Sequence, residues 1–155
     1  MAPTIEHEIV IDAPVEYVWR AVTEPDQIRL WFTEDVDLTP EPGYDGSVTF
    51  NRRNEQPTLH VRVTVQDVQP ARFFAYRWHH PDAAAAVEGN SLLVEFTLIP
   101  ERDGTRLRVT ETGLDSMSWP AEERDDYADQ HNRGWSTYLG RLREHLGRRS
   151  AAPAP

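Results

Sequence analysis

The sequence predicts an α+β fold in which a long C-terminal helix packs against one curved, mostly antiparallel sheet. Three observations predict it. Residues 118–147 have the apolar spacing of an amphipathic helix, shorter segments before it alternate apolar and polar residues as strands do, and the connections between those segments have the length of hairpin turns. Strands joined by hairpins pair antiparallel, and helices kept apart from them indicate α+β rather than α/β.

The C-terminal helix is the element on which this prediction depends. Ser118 is a suitable N-cap, and Pro120 falls in the first turn, where its missing N–H costs nothing. A helix of this size is roughly 40 Å long and needs a broad partner surface. We expect residues 150–155 to form a disordered tail, so that residues 1–149 make a single domain. The apolar face of the helix contains Tyr127, His131, Trp135, Tyr138, Leu139, Leu142 and Leu146.

The remaining elements precede this helix. Residues 5–11 predict a first strand, Pro14 begins a helix, and residues 23–26 end it before a second short helix that carries Trp31 and Phe32. Asp103-Gly104 predicts a hairpin turn over residues 100–104. About six further strands are expected around Val36 and Leu38, and over residues 47–51, 59–65, 74–78, 92–98 and 107–111.

Composition limits the classes of function. The chain has 155 residues, enough for one domain, and a formal net charge of -10, so its overall field repels nucleic acid. Cysteine and lysine are both absent, which excludes disulfides, thiolate metal sites, cysteine nucleophiles and Schiff-base chemistry. The sequence contains neither a membrane-spanning apolar run nor a signal peptide, so we expect no membrane partner and a cytoplasmic location.

Several motifs in order resemble one known superfamily. They are residues 9–19 (Ile-Val-Ile-Asp-Ala-Pro-Val-Glu-Tyr-Val-Trp), residues 23–26, Trp31-Phe32, residues 65–78, residues 104–110 and Gly134-Trp135. Together they resemble the SRPBCC (START-like, helix-grip) superfamily, in the branch homologous to the C-terminal domain of the activator of heat-shock-protein-ninety ATPase. The resemblance covers about residues 5–147. It implies a curved antiparallel sheet of about six or seven strands around the C-terminal helix, two short helices after the first strand, and a cavity between sheet and helix.

The side chains that face this cavity are the candidate ligand-binding residues. Strand alternation and the helical spacing select them, and aromatic rings with a few polar tips are typical of apolar ligand pockets. The same rings would equally serve as an ordinary hydrophobic core, and the sequence leaves both interpretations open. The set is Val61, Val63, Phe74, Tyr76, Trp78, Val94, Phe96, Leu107, Val109, Tyr127, His131, Trp135 and Tyr138.

His131 and Glu111 form the candidate catalytic pair. A carboxylate beside an imidazole can act as a general base, although it can equally be a buried, hydrogen-bonded pair without catalytic function. No metal site is predicted, because His79 and His80 are adjacent and point to opposite faces of a strand. His7 and His60 occupy polar strand positions and are expected to be solvated. Phosphate-binding and serine-nucleophile motifs are absent, and no cofactor is predicted.

The relatives implied by the resemblance include hydrophobic-ligand carriers, aromatic polyketide cyclases and co-chaperone domains. The sequence therefore favours a small apolar or aromatic molecule as the partner, with no enzymatic activity required. A protein-interaction module and a cyclase or hydrolase using His131 and Glu111 are the alternatives. The protein is expected to be a monomer or a homodimer.

Overall fold

A computed structural model describes residues 5–33, 35–50, 59–79, 91–102, 104–117 and 119–150. Within these ranges the chain forms seven strands, three α-helices and a 3-10 turn at Leu114–Ser116. The strands are β1 (Ile5–Ile11), β2 (Asp35–Asp37), β3 (Asp45–Phe50), β4 (Leu59–Gln69), β5 (Phe73–His79), β6 (Ser91–Glu101) and β7 (Gly104–Thr112). The helices are α1 (Val15–Thr23), α2 (Pro25–Trp31) and α3 (Ala121–Ser150). Ser118, the predicted cap, and residues 151–155 lie outside the described residues.

The seven strands form one antiparallel sheet in the order β1-β7-β6-β5-β4-β3-β2. The first strand pairs with the last, and the other neighbours follow each other along the chain. Strands β1 and β2 are the two edges. The predicted α+β class and the curved sheet around a C-terminal helix are therefore confirmed.

Helix α3 packs on the inner face of the sheet through a stripe of buried residues at helical spacing. Beyond the apolar contacts, two polar contacts hold it. The imidazole of His7 on β1 donates to Oδ1 of Asn132 at 2.9 Å, and the imidazole of His145 donates to Oε1 of Gln27 on α2 at 2.9 Å. His7 is half-buried, so the expectation that it is solvated was wrong. The buried stripe consists of Ala128, Trp135, Leu139, Leu142 and Leu146.

The two faces of the sheet have different chemistry, as the alternation predicts. On β7, Leu107 and Val109 are buried, whereas Arg106 and Arg108 point outward and pair with carboxylates of β1 and β6. Such exposed ion pairs contribute little stability, so the apolar inner face supplies most of it.

The β6–β7 hairpin is tighter than predicted. Glu101 pairs with Gly104, and Pro100 pairs with Thr105, so the strands extend into the segment expected as a turn. A Cβ atom on Gly104 would lie 2.5 Å from the carbonyl oxygen of Ile11. Thr105 Oγ1 also donates to the carbonyl oxygen of Ala13 at 2.8 Å. The glycine therefore permits a close approach that fixes the start of α1 against β7.

Helices α1 and α2 form a corner beside α3. Pro14 occupies the N-cap of α1, and Pro25 begins α2, where a missing N–H leaves no hydrogen bond unmade. Nε1 of Trp31 donates to the carbonyl oxygen of Ala21 at 2.7 Å and joins the two helices. This corner directs Phe32, the residue that caps the C-terminus of α2, towards the sheet and α3.

Candidate functional site

Parallel aromatic rings fill much of the space between the sheet and α3. The ring of Phe32 lies 5.5 Å from that of Trp135 at an interplanar angle of 12°, and Trp135 lies 5.8 Å from Trp78 at 19°. Tyr138 and Phe50 meet the Phe32 ring edge-on at 5.0 and 5.3 Å. Phe32, Trp135 and Trp78 are called the ring stack below. The described side chains thus largely occupy the cavity that the resemblance implies.

A small void remains beside the ring stack. Its volume is about 10 Å³, close to the roughly 10–15 Å³ that a single water molecule needs. We call it the apolar void, and it is too small for an organic ligand unless side chains move. Its walls are Val22, Ile28, Trp31, Phe32, Leu38, Val48, Val63, Tyr76 and Phe96.

Tyr76 is the one residue of that wall that carries a hydroxyl group. The residue is 3% exposed, and its hydroxyl has no hydrogen-bond partner among the residues that the structure describes. Burial raises the pKa of the phenol well above its ordinary value of 10.0, and the negative charge of Glu111 adds to the effect. The hydroxyl therefore keeps its proton and is available as a donor.

Glu111 places a fully buried carboxylate at the inner face of β7. Its Oε1 accepts hydrogen bonds from Nδ1 of His131 at 2.8 Å and from Nε1 of Trp135 at 2.9 Å. Its Oε2 accepts from Nε1 of Trp78 at 3.1 Å and from the hydroxyl of Tyr127. We call these five residues the carboxylate cluster.

The hydrogen-bonding capacity of the Glu111 carboxylate is full. An ionised carboxylate has about four lone-pair positions and no donor, and each of its oxygens here accepts two hydrogen bonds. Burying such a charge costs several kcal/mol, and hydrogen bonds to it, each contributing about 1.5–3 kcal/mol, offset that cost. The cluster thus joins β5, β7 and α3 through one satisfied charge.

Tyr127 keeps its proton within this cluster. Burial raises the pKa of its phenol well above 10.0, and the charge of Glu111 and the hydrogen bond to Glu111 raise it further. The Tyr127 ring also stacks on the imidazole of His131, with ring centres 3.7 Å apart. Tyr127 is consequently a fixed donor to the carboxylate.

His131 reaches solvent from within the cluster. Because a carboxylate only accepts, Nδ1 of His131 carries the proton that bonds to Glu111, which leaves Nε2 as the second ring nitrogen. The His131 side chain is 28% exposed. Among the described residues, Nε2 has no hydrogen-bond partner. The predicted pairing of His131 with Glu111 is present in the structure, although its role stays a prediction.

Twelve of the thirteen predicted ligand-binding residues lie in or against the hydrophobic core, and His131 bonds to Glu111 beside it. Three line the apolar void, and four belong to the carboxylate cluster. The others pack in the core without lining the void or bonding to Glu111. The void residues are Val63, Tyr76 and Phe96; the cluster residues are Trp78, Tyr127, His131 and Trp135; and the remaining six are Val61, Phe74, Val94, Leu107, Val109 and Tyr138.

Sequence reasoning missed the six of the nine void-wall residues that come from the α1–α2 corner and the β2–β3 edge. Alternation along a strand identifies a face of the sheet, but it does not say which helix covers that face. The adjacent pair Trp31-Phe32 at the end of a short amphipathic helix was the available signal. The missed residues are Val22, Ile28, Trp31, Phe32, Leu38 and Val48.

Further observations concern metal ions and membrane-spanning helices. No group of three or more His, Asp or Glu suited to a metal ion occurs among the described residues. The side chain of His79 and residue His80 lie outside them. No described helix has an apolar stretch able to cross a membrane.

The segment that matches a known protein family includes the residues of both the void and the carboxylate cluster. The family described as "Activator of Hsp90 ATPase homolog 1-like protein" matches residues 12–147. This chain belongs to that family. The matched segment begins just after β1 and ends near the C-terminus of α3. No curated protein matches the sequence significantly.

Solved structures share the helix-grip architecture of this family member. Protein MLL2253 from Mesorhizobium loti is 26% identical over 94% of this chain and 98% of that chain, with a TM-score of 0.73. Aha1 from Colwellia psychrerythraea, solved as a dimer in solution, is 20% identical over 93% and 96%, with a TM-score of 0.70. Protein NE0264 from Nitrosomonas europaea is 19% identical over 94% and 95%, with a TM-score of 0.74. These likenesses support the fold.

Proposed function

We propose that this family member binds a small apolar or aromatic molecule between the sheet and α3, at the apolar void. The observation that carries the proposal is the void wall itself, which consists of aromatic and aliphatic side chains and includes one buried tyrosine. Ligand pockets are typically apolar with a few well-placed polar groups.

Phe32 is the side chain that a ligand would displace. It lies where α2 ends, shortly before β2, a three-residue edge strand that pairs only with β3. Its ring packs against Trp135, Tyr138 and Phe50, so an outward movement of Phe32 would join the void to the face of the Trp135 ring. A flat molecule would then replace the lost ring contacts.

Calorimetric titration with naphthalene, indole and flavone tests this proposal. Val48→Phe places a ring in the void and is expected to weaken binding by at least about tenfold. Val10→Phe is the matched control, because Val10 is 50% exposed on the edge strand β1, and it should leave binding unchanged. Absence of binding to the wild type, or equal binding by both variants, would contradict the proposal.

A second candidate is acid–base catalysis by His131 and Glu111. The hydrogen bond from Nδ1 to Glu111 fixes the imidazole, and because the carboxylate has no vacant lone pair, Nε2 would be the proton acceptor. Hydrolysis of nitrophenyl acetate provides a test. His131→Gln should abolish protein-catalysed hydrolysis, whereas His145→Gln on the same helix should retain it. Equal hydrolysis rates in the two variants would contradict this candidate.

A third candidate is interaction with a chaperone, which the family description alone supports. A purified Hsp90 ATPase assay with added protein tests it. A raised ATPase rate would support a co-chaperone activity, and an unchanged rate would count against it.

We also propose that the protein is a monomer or a homodimer. The Aha1 structure from Colwellia psychrerythraea is described as a dimer. Analytical ultracentrifugation would distinguish the two states, and a larger assembly would contradict both.

A further inference from the structure

The Tyr76 hydroxyl has a specific place in the interior. Tyr76 pairs with Val94 on β6, and Val94 pairs with Glu111 on β7, so Tyr76 and Glu111 occupy one row across the sheet. Both residues are buried on the inner face, but only Glu111 has hydrogen-bond partners among the described residues. A buried hydroxyl without a partner is costly, and native proteins retain few of them.

A water molecule in the void would not satisfy that hydroxyl well. Buried waters typically make about two to four hydrogen bonds. In the void wall, the indole N–H of Trp31 already donates to the carbonyl oxygen of Ala21, and the other side chains besides Tyr76 are hydrocarbon. A single water would therefore have Tyr76 as its one side-chain partner and would be easily displaced.

The charge near Tyr76 limits what can replace such a water. The phenol is influenced by the negative charge of Glu111, so a second buried anion in the void would be repelled and desolvated. A neutral acceptor, such as a ketone or an ether oxygen, meets neither penalty and accepts from the Tyr76 O–H.

Resting on the proposed function, we infer that the ligand is a neutral aromatic molecule with a hydrogen-bond acceptor, which Tyr76 recognises as donor, and not an aromatic or fatty acid. Phe32, Trp31 and Phe96 contribute the apolar contacts of this site. Tyr76 gives specificity for the acceptor group. A ligand without an acceptor would leave the buried Tyr76 hydroxyl unpaired and would therefore bind more weakly.

Three naphthalenes of similar size test the inference by calorimetric titration: acetonaphthone (neutral ketone), ethylnaphthalene (hydrocarbon) and naphthoate (anion). The wild type and Tyr76→Phe are compared. The variant is expected to bind acetonaphthone about three- to tenfold more weakly, with binding of ethylnaphthalene unchanged. Comparing the two ligands in both proteins cancels their difference in hydration. Naphthoate should bind the wild type at least about tenfold more weakly than the ketone.

The outcomes separate this inference from the proposed function. If none of the three compounds binds the wild type, the proposed function fails and the inference fails with it. If they bind, but Tyr76→Phe weakens ketone and hydrocarbon equally, or naphthoate binds most tightly, the inference alone is overturned.

Thermal unfolding checks the premise independently of any ligand. Tyr76→Phe should leave the midpoint unchanged or raise it, because it removes an unpaired hydroxyl. A clearly lower midpoint would show that the hydroxyl is already hydrogen-bonded in the free protein, and would overturn the inference.

Discussion

The carboxylate cluster and the apolar void differ in whether their buried polar atoms are hydrogen-bonded. In the cluster, the Glu111 carboxylate accepts four hydrogen bonds and its capacity is full. Tyr76 of the void wall, by contrast, has a hydroxyl with no partner among the described residues. The two side chains nevertheless share one row of the sheet. A satisfied buried group stabilises the fold, whereas an unsatisfied one costs stability unless a ligand completes it.

The carboxylate cluster thus has a structural role, whereas the void has the binding role that we propose. The rings of the two regions touch, because Trp135 belongs to the cluster and also stacks on Phe32 of the void wall. Their polar atoms differ, however, and substitutions that change single polar atoms therefore distinguish the regions.

The largest expected effect comes from removing the carboxylate. Glu111→Ala leaves the donors of Trp78, Tyr127, His131 and Trp135 without their acceptor, and we expect the free energy of unfolding to fall by about 3–5 kcal/mol. Urea denaturation measures the loss. Glu111→Gln keeps one acceptor oxygen and should lose less.

Exposed Glu123 on α3 provides the control for that measurement. Glu123→Ala should change the free energy of unfolding by no more than about 0.5 kcal/mol. A Glu111→Ala variant as stable as Glu123→Ala would contradict the structural role of the cluster.

Phe32→Ala should enlarge the void and destabilise the protein by about 3 kcal/mol, because the cavity that it leaves is only partly refilled. The same change should tighten the binding of naphthalene, since no ring then has to be displaced. The matched control is Leu30→Ala on the same helix, where the side chain is 60% exposed. Denaturation and calorimetry measure the two effects, and weaker naphthalene binding by Phe32→Ala would argue against this location.

A matched pair of tyrosine variants compares the two regions most sharply. Tyr127→Phe removes a hydrogen bond to a charged acceptor and should cost about 1.5–3 kcal/mol. Tyr76→Phe removes an unpaired hydroxyl and should be neutral or stabilising by up to about 1 kcal/mol. The chemical change is the same in both variants. Denaturation curves that shift equally would contradict the difference between a hydrogen-bonded hydroxyl at Tyr127 and an unpaired one at Tyr76.

Alkaline pH tests the burial of the two phenols without a substitution. The folded-state pKa values of Tyr76 and Tyr127 lie well above 10.0. Above about pH 10 the unfolded chain loses protons that the folded chain keeps, so the free energy of unfolding falls as the pH rises, by up to about 1.4 kcal/mol per pH unit for each phenol. Urea denaturation from about pH 9 to about pH 11 measures the slope. A double Phe variant should show a shallower one, and an identical slope would contradict the burial of both phenols.

The sequence was sufficient for the fold and for part of the site. Alternation on β7 placed Leu107, Val109 and Glu111 on one face, and helical spacing brought His131 to the same side. These are local regularities with fixed periods. The resulting pair, Glu111 and His131, is hydrogen-bonded in the structure.

What the sequence did not provide depends on contacts between distant elements. The convergence of Trp78 and Trp135 on one carboxylate requires the register of β5 against β7 and the rotation of α3. Likewise, the position of Phe32 is set by the α1–α2 corner and the hydrogen bond from Trp31 to Ala21. Neither follows from a periodic pattern, so the sequence could not show that rings largely fill the cavity.

The central claim is that a neutral aromatic molecule binds at the apolar void. Titration of isotope-labelled protein with acetonaphthone, followed by heteronuclear NMR, tests it most directly. The account predicts saturable shifts of the Trp31 indole N–H and of backbone amides at Val48, Val63 and Tyr76, with little change at Arg106 and Arg108 on the outer face. Spectra that do not change, or shifts concentrated on the outer face, would contradict it.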